Sequence, residues 1–439
     1  MHSTRTTNTV WPRTSPNPTT PHPLGLYKIN TKSNKNLNLI TQTHIKHLSI
    51  NSKLINSRST IPRAHNLDRL WMKYQGVKNW EGLLDPLDDN LRQEIIRYGR
   101  FVQSAYRSCD FDQSSSTYAT CRYPKRKLLD ESGFLGSGYR VTKNLIASSG
   151  IQIPKWVELG PSWMGKISSW IGYIAVCQDR NEIFRLGRRD VVIAFRGTAT
   201  CPEWLENLRA NLTPLPGSNP DLDQDPDSIS GSGPMVESGF LSLYTSSSKN
   251  RQSLQRIVRE EIRKILKKYR DEQLSFTVTG HSLGAALAIL AAYDIKKTFK
   301  TSAMVTVISF AGPRVGNWSF RCCLEEHDIK ILRIVNDDDP ITRVPGFNIA
   351  DENNENDDII RDNSTAAAVG KLRRWVRKLV EDMRWEYADV GCELRLSSRD
   401  SNAGVNVAAC HDLKTYLHLV DGFVSSNCPF RSTARQMMN

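Results

Sequence analysis

Leu274-Ser-Phe-Thr-Val-Thr279 opens the most informative segment of this chain, which continues as Gly280-His-Ser-Leu-Gly284 and then as an alanine-rich run from Ala285 to Lys297. The first six residues are mostly β-branched or aromatic, which favours a strand. Glycine at both ends of the next five residues predicts a tight turn, and alanine is the best helix former. The segment therefore predicts a strand, a turn and a helix in direct succession.

Other elements around this segment predict a sheet that is mostly parallel, because strands alternate with helices at crossover spacing. A polar turn, Asp179-Arg-Asn-Glu182, is expected to make the strands Trp170–Cys177 and Val191–Phe195 neighbours. The remaining predicted elements are the strands Met304–Phe310 and Ile329–Val335, the helices Leu91–Arg107, Lys249–Arg270 and Lys371–Arg384, and the loops Leu215–Pro234 and Asp351–Asp362. The fold class expected is α/β, with a central mostly parallel sheet flanked by helices.

The turn Gly280-His-Ser-Leu-Gly284 matches G-x-S-x-G, the nucleophile elbow of the α/β-hydrolase fold. This motif needs a strained turn between strand and helix, with small neighbours, so that a serine hydroxyl stands clear of the backbone. The pattern alone occurs by chance in many proteins, but here the required strand and helix flank it. Ser282 is therefore the predicted nucleophile.

Serine needs an adjacent base that a carboxylate orients, and in α/β-hydrolases the acid and then the histidine follow the serine along the chain. Asn336-Asp-Asp-Asp-Pro340 directly follows a predicted strand, and functional groups of an open α/β sheet stand at such carboxyl ends. Asp337, Asp338 and Asp339 are all candidates, and spacing does not choose among them.

Three histidines lie beyond the helix that follows the serine: His327, His411 and His418. His327 precedes the aspartates and breaks the chain order. His411 and His418 would share one helix face about 10 Å apart along the axis, so only one can serve as the base. His411 is preferred because it would stand at a helix N-terminus, which lowers the pKa of a histidine.

A tetrahedral intermediate also needs backbone N–H donors. The first expected donor is Leu283, the residue after the nucleophile. Phe195-Arg-Gly-Thr198 follows another predicted strand, and its glycine allows a close approach to substrate. Thr198 is therefore the second predicted donor.

Composition argues against nucleic acid as a partner, although the net charge is +13. Residues 1–67 hold nine Lys or Arg and no Asp or Glu, so the remaining 50 basic and 46 acidic residues nearly balance. The nine cysteines form no CxxC pair and no cluster with metal-ligand spacing, so neither a metal nor another cofactor is expected. No apolar run is long enough to span a membrane.

The leader, residues 1–66, is basic, rich in Ser and Thr, and lacks the apolar core of a secretory signal. Such a composition is typical of organelle transit peptides, and modest Arg content favours the plastid. A merely disordered tail is the alternative. Residues 67–439 are expected to form a single domain.

Four motifs together resemble the class 3 lipase family: Phe195-Arg-Gly-Thr198, Gly280-His-Ser-Leu-Gly-Ala-Ala-Leu-Ala288, Phe310-Ala-Gly-Pro-Arg-Val-Gly-Asn317 and Asp339-Pro-Ile-Thr-Arg-Val-Pro345. Three further segments are similar to the plastid class of plant phospholipases A1 of the anther-dehiscence type. These are Trp71–Gly76, Trp80–Leu87 and Cys410–Phe423.

The resemblance implies Asp339 as the acid, six residues before Pro345, and His411 as the base. It implies a lid at Glu203–Leu208, with Trp204 and Leu205 as the contacting residues. It also implies hydrolysis of the sn-1 acyl ester of membrane phospholipids, with galactolipids or acylglycerols as further substrates and a supply of fatty acid for jasmonate synthesis. One departure, the acidic Val236-Glu-Ser-Gly-Phe240, puts headgroup preference in doubt.

The main competing interpretation is a catalytically idle lipase-like signalling protein, since plant immune regulators of that kind keep the elbow. Those proteins carry a long helical domain after the hydrolase fold, whereas this chain ends sixteen residues after Phe423. An esterase of soluble substrates is a further alternative.

Overall fold

A computed structural model describes residues 67–112, 114–148, 168–198, 211–216, 233–247, 251–345, 387–398 and 407–426. The chain divides into two units, Met1–Arg63 and Ala64–Asn439, and every described residue lies in the second. Several predicted features lie outside the described residues. These are the leader, the lid residues Trp204 and Leu205, the loop Asp351–Asp362, the helix Lys371–Arg384 and most of the loop Leu215–Pro234.

Seven strands form the main sheet, in the order β1-β2-β3-β6-β7-β8-β9. β2 is antiparallel to both β1 and β3, and every pairing from β3 to β9 is parallel. The fold is thus α/β with a mostly parallel sheet, as predicted. The strands are β1 Tyr139–Ser148, β2 Ser168–Cys177, β3 Arg189–Phe195, β4 Leu212–Pro214, β5 Met235–Glu237, β6 Leu274–His281, β7 Met304–Phe310, β8 Lys330–Asn336 and β9 Cys392–Leu396, of which β4 and β5 form a separate antiparallel pair.

Helices cover both faces of this sheet. They are α1 Leu67–Tyr74, α2 Asp89–Ser108, α3 Leu128–Glu131, α4 Arg180–Leu186, α5 Ser238–Thr245, α6 Leu254–Lys268, α7 Leu283–Phe299, α8 Trp318–Glu326, α9 Val407–Cys410 and α10 Leu413–Gly422, with a 3₁₀ turn at Pro340–Arg343. No helix among the described residues has the length and apolarity that a bilayer crossing requires.

Alternation along the strands divides the core into two layers. In β3, Val191, Ile193 and Phe195 face the cluster that holds α5, α6, α7 and α8. Val192 and Ala194 face the opposite cluster, which holds α2 and α10. Side chains alternate between the faces of a strand, so a sheet buried on both faces needs the nearly continuous apolar runs seen in β3 and β7.

Two predicted connections differ from the structure for local reasons. The segment after Asp179 is a helix, α4, and not a turn, because the Asp179 side chain caps it and Gly187 ends it with φ +67°. The strands on either side of it are nevertheless neighbours. The helix predicted from Lys249 begins at Leu254, because the Ser253 hydroxyl accepts a hydrogen bond from the Arg256 N–H and fixes the N-cap there.

Candidate active site

Ser282 lies between β6 and α7 in a backbone conformation that side chains rarely adopt. Its φ is +57° and its ψ is −128°, in the region that normally favours glycine. The surroundings hold it there, since its N–H donates to the Phe310 carbonyl at 3.0 Å and its own carbonyl accepts from the Ala285 N–H at 2.9 Å. A strained turn of this kind is what the predicted elbow requires.

The two glycines of the elbow are required by packing. A Cβ at Gly280 would overlap the Gly284 carbonyl oxygen. A Cβ at Gly284 would lie 2.6 Å from the Arg196 carbonyl oxygen and 2.7 Å from that of Phe195. The small residues therefore let α7 approach both β6 and the end of β3, which brings the serine beside the next loop.

The three adjacent aspartates occupy different environments at the end of β8. Asp337 is exposed and pairs with Arg395 at 3.2 Å. Asp338 accepts hydrogen bonds from the Ser398 N–H at 3.0 Å and from its hydroxyl at 3.1 Å. Asp339 is fully buried, and its Oδ2 lies 2.7 Å from Nδ1 of His411. Of the three, Asp339 is the carboxylate in contact with a predicted base.

Further groups hold the Asp339 carboxylate. Its Oδ1 accepts from the Ile341 N–H at 3.0 Å, and its Oδ2 accepts from the Tyr416 hydroxyl at 2.7 Å. The Asn336 amide donates to the Cys410 carbonyl at 3.0 Å, which ties the end of β8 to the residue before His411. The carboxylate and the imidazole are therefore held by two connected backbone segments.

His411 is buried, but it does not stand at a helix N-terminus as predicted. It lies in the turn between α9 and α10, where Asp412 is the N-cap of α10. The helix therefore offers its first N–H groups to Asp412, and His411 takes its orientation from Asp339. His418 is exposed on α10. The structure thus brings His411 to the buried acid and leaves His418 at the surface.

The predicted oxyanion loop, residues 196–198, reaches the elbow. A Cβ on Gly197 would lie 3.1 Å from the Ser282 Cβ. Thr198 follows directly, and its hydroxyl oxygen is buried and has no hydrogen-bond partner among the described residues. Leu283 is the first residue of α7, so its N–H has no acceptor within the helix. Leu283 therefore follows the serine directly in the chain, and Thr198 follows the glycine that lies against it.

His281, the residue before the nucleophile, links the elbow to the base. Its Nε2–H donates to the His411 carbonyl at 2.7 Å, and the two rings pack with centroids 4.8 Å apart. Burial, and next the neighbouring His411, hold the pKa of His281 well below its usual value. His281 is therefore neutral in the folded protein.

Four residues around the predicted triad have a role that the sequence alone does not assign. Tyr106, Arg196, Asn336 and Tyr416 all bond to the elbow, the loop or the acid, but they come from separate parts of the chain. Tyr416 offers one weak signal, since it is a hydroxyl-bearing aromatic residue on the apolar side of the segment that contains His411. Arg196 lies within Phe195-Arg-Gly-Thr198 and Asn336 within Asn336-Asp-Asp-Asp-Pro340, but their contacts, like those of Tyr106, become apparent only in the fold.

The acidic departure at Glu237 has a local structural role. Glu237 is buried and caps α5, where its Oε2 accepts from the Phe240 N–H at 2.6 Å. The carboxylate is thus committed to the helix terminus and is not presented at the surface.

Comparison with known proteins gives a consistent result. A family model described as Lipase (class 3) matches residues 192–349. Phospholipase A(1) DAD1, chloroplastic, from Arabidopsis thaliana is 59% identical over 397 residues, which cover 90% of this chain and 85% of that protein. Galactolipase DONGLE, chloroplastic, from the same plant is 38% identical over 371 residues, covering 81% of this chain and 70% of the relative.

Among solved structures, a lipase from Rhizopus microsporus var. chinensis is 20% identical, with a TM-score of 0.38 over 60% of this chain and 71% of that one. The fold assignment here stands on the sheet order and the crossovers themselves.

The plant relatives confirm the predicted plastid location and the prediction of a carboxylic ester hydrolase, and they favour an active enzyme over an idle signalling protein. The chain belongs to the class 3 lipase family, within the group of plant chloroplastic phospholipases A1.

Proposed function

We propose that this protein hydrolyses the sn-1 fatty-acyl ester of phospholipids and galactolipids at a membrane surface, with Ser282, His411 and Asp339 as its catalytic triad. The observation that carries the proposal is the buried Asp339–His411 pair, 2.7 Å between Oδ2 and Nδ1. The His411 carbonyl is bonded to His281, the residue before a serine with a strained backbone. The two relatives named phospholipase A(1) and galactolipase support the two substrate classes.

Acylation follows from this arrangement. Asp339 accepts the Nδ1–H of His411, which leaves Nε2 as the nitrogen that takes the proton of the serine hydroxyl. The serine oxygen then attacks the ester carbonyl carbon, and the carbonyl oxygen becomes an oxyanion that the N–H groups of Leu283 and Thr198 stabilise. When the C–O bond of the ester breaks, His411 returns the proton to the departing alcohol of the lysolipid.

Deacylation repeats these steps with water. His411 takes a proton from a water molecule, whose oxygen attacks the acyl-serine carbonyl. The bond to the Ser282 oxygen then breaks, the serine regains its proton from His411, and a free fatty acid leaves. The burial of Asp339 strengthens its interaction with the transient imidazolium, because a water-poor environment screens charge weakly.

The experiment is product analysis on defined lipids. Phosphatidylcholine and monogalactosyldiacylglycerol with different acyl chains at sn-1 and sn-2 are incubated with the purified protein, and the released fatty acid is identified by mass spectrometry. The proposal expects the sn-1 chain from both lipids. Release of the sn-2 chain, or of both chains at equal initial rates, would contradict the assigned position.

Variants test the residues. Ser282→Ala is expected to lower the rate on the order of 10⁴-fold or more, as loss of a triad member does. His411→Ala is expected to be similarly inactive. His418→Ala is the matched control, because this exposed histidine lies on the following helix, and it should keep most of the activity. Equal loss in both histidine variants would contradict the choice of base.

The proposal also assigns a role to Trp204, which the resemblance marks as a lid residue. A protein that reaches lipid from outside the bilayer adsorbs through exposed apolar side chains. Trp204→Ser should therefore lower hydrolysis of phospholipid vesicles much more than hydrolysis of a soluble short-chain ester. An equal loss on both substrates would indicate that Trp204 packs in the core.

For the leader we propose a transit function without a catalytic role. A chain that starts at Leu67 should keep full activity, and residues 1–66 fused to a fluorescent reporter should direct it into plastids. A reporter that stays in the cytosol would contradict the assignment of the leader.

A further inference from the structure

The hydroxyl of Tyr106 lies between the oxyanion loop and the nucleophile elbow. Tyr106 stands near the end of α2, and its Oη is 2.9 Å from the Gly197 nitrogen and 2.7 Å from Nδ1 of His281. Glycine permits this approach, because a Cβ at position 197 would overlap the Tyr106 oxygen. One hydroxyl therefore contacts the loop on one side and the residue before the nucleophile on the other.

The direction of each hydrogen bond follows from its partners. The Gly197 nitrogen can only donate, so Tyr106 Oη accepts there. The His411 carbonyl can only accept, so the proton of the neutral His281 ring resides on Nε2. Nδ1 of His281 is then an acceptor, and the Tyr106 hydroxyl donates its own proton to it. Donation thus runs from Gly197 through Tyr106 and His281 to the His411 backbone.

This chain of bonds joins all three parts of the proposed catalytic machinery. Gly197 precedes the oxyanion donor Thr198, His281 precedes the nucleophile, and His411 is the base. We propose that Tyr106 is a positioning residue, which through His281 fixes the spacing between the oxyanion loop, the elbow and the backbone of His411. This proposal rests on the proposed function, because it assumes that these three segments carry the triad and the oxyanion hole.

If Tyr106 has this role, removal of its hydroxyl should impair the chemical step and not substrate binding. Tyr106 acts through the loop and through His281, and both of those segments respond when its hydroxyl is removed. A displaced oxyanion donor weakens binding of the transition state much more than binding of the ester ground state. Loss of the hydroxyl should therefore lower kcat and leave KM nearly unchanged.

The first test compares two tyrosine-to-phenylalanine variants, each of which removes one hydrogen-bonded hydroxyl. Tyr106→Phe removes the hydroxyl that links Gly197 to His281. Tyr173→Phe removes a hydroxyl that donates to the carbonyl of Phe101, a residue that lies on α2, as Tyr106 does, but away from the elbow. We expect kcat of Tyr106→Phe to fall roughly 10- to 100-fold with KM within about 2-fold. Tyr173→Phe should keep wild-type kcat at a similar loss of Tm. Wild-type kcat in Tyr106→Phe, or a loss no greater than that of Tyr173→Phe, would overturn the proposal.

The second test uses a double-mutant cycle with His281→Gln. Glutamine keeps an N–H donor where Nε2 stands, so it preserves the bond to the His411 carbonyl, but it offers no acceptor in place of Nδ1. If Tyr106 acts through His281, Tyr106→Phe should cost clearly less in kcat in this background than in the wild type. Equal cost in both backgrounds would exclude His281 as the link.

A third measurement does not depend on activity. Nitrogen NMR of ¹⁵N-histidine-labelled protein reports which ring nitrogen of His281 carries the proton, with His281→Gln providing the assignment. A proton on Nε2 agrees with the proposed direction of the hydrogen bonds from Gly197 to His411. A proton on Nδ1 would overturn the proposal, even if a Tyr106 variant failed to fold. Ser282→Ala is assayed in parallel, since full activity there would refute the proposed function while the NMR result would still decide the direction of the bonds.

Discussion

The Tyr416 hydroxyl donates to the Asp339 carboxylate over 2.7 Å, on the same oxygen that receives the Nδ1–H of His411. Burial, and next the charge of Asp339, hold the pKa of Tyr416 well above its usual value. The hydroxyl therefore stays protonated at neutral pH and is a donor to the carboxylate. Tyr416 thus stabilises the charged form of the acid and fixes the oxygen that faces the base.

Tyr416→Phe is expected to lower kcat about 10-fold, because a hydrogen bond to a buried carboxylate contributes about 1.5–3 kcal/mol and only part of it acts in the transition state. Tyr244→Phe is the matched control, since that hydroxyl donates to the buried Asp294 at 3.1 Å, away from the site. Steady-state kinetics of both variants on one ester decide the matter. Unchanged kcat in Tyr416→Phe would show that the bond only stabilises the fold.

Substitution of each of the three aspartates should separate their roles. Asp339→Asn is expected to remove most activity, because the amide no longer carries the charge that stabilises the imidazolium. Asp337→Asn should be nearly silent, since its exposed ion pair contributes roughly 0–1 kcal/mol. Asp338→Asn should retain activity at a lowered Tm, because its carboxylate accepts two bonds from Ser398. An inactive Asp338→Asn with a normal Tm would contradict the assignment of the acid.

The sequence was sufficient to predict the secondary structure around the proposed nucleophile, which depends on local pattern. The strand, turn and helix around Ser282 could be predicted because β-branched residues, glycines and alanines each favour one conformation over a short span. Spacing alone left Asp337, Asp338 and Asp339 open, because the distinction lies in burial. Asp339 accepts a hydrogen bond from Tyr416 on α10, and that contact depends on how a residue 77 positions away packs.

The environment of His411 shows where local reasoning failed. The helical pattern of Cys410–Phe423 suggested one helix beginning at the histidine, but the side chain of Asp412 caps α10 at the next residue. Short polar side chains such as that of Asp412 are favoured as helix N-caps. Because the helix begins one residue later than predicted, His411 contacts the Asp339 carboxylate and does not stand at the helix N-terminus. Contacts such as Tyr106 with Gly197 join residues 91 positions apart and leave no periodic trace in the sequence.

Neutral His281 predicts an acid-side loss of stability. Because its pKa is lower in the folded protein than in the unfolded chain, the unfolded state binds more protons as the pH falls below the unfolded value of about 6.5. The contribution of the neutral His281 ring to the free energy of unfolding is therefore complete above that pH. Below it, this contribution falls by up to about 1.4 kcal/mol per pH unit. Denaturant unfolding between pH 7 and pH 5 should therefore show a shallower decline in His281→Gln than in the wild type, and parallel curves would contradict this.

Arg196 fixes the orientation of the peptide that carries the proposed oxyanion donor, the N–H of Thr198. Its guanidinium donates to the Gly197 carbonyl at 2.6 Å, to the Trp170 carbonyl at 3.0 Å and to the Ser169 hydroxyl at 2.7 Å. In a trans peptide the carbonyl of one residue and the N–H of the next point in opposite directions. With the Gly197 carbonyl turned toward Arg196, the Thr198 N–H is turned away from it, and rotation of this one peptide would remove the donor.

Arg196→Lys should therefore impair catalysis even though it keeps the charge. A lysine ammonium lacks the planar fork that reaches three acceptors at once, so the Gly197 carbonyl loses its fixed partner. We expect kcat to fall about 10- to 100-fold with little change in KM, and a phosphonate ester, whose reaction passes through a charged oxygen in the same hole, to inactivate Ser282 more slowly by a similar factor. Arg189→Lys is the control, because Arg189 stands at the opposite end of β3 and pairs with Glu272 at 2.6 Å. If Arg196→Lys lost Tm but kept wild-type kcat and inactivation rate, the guanidinium would hold the loop in place without orienting its donor.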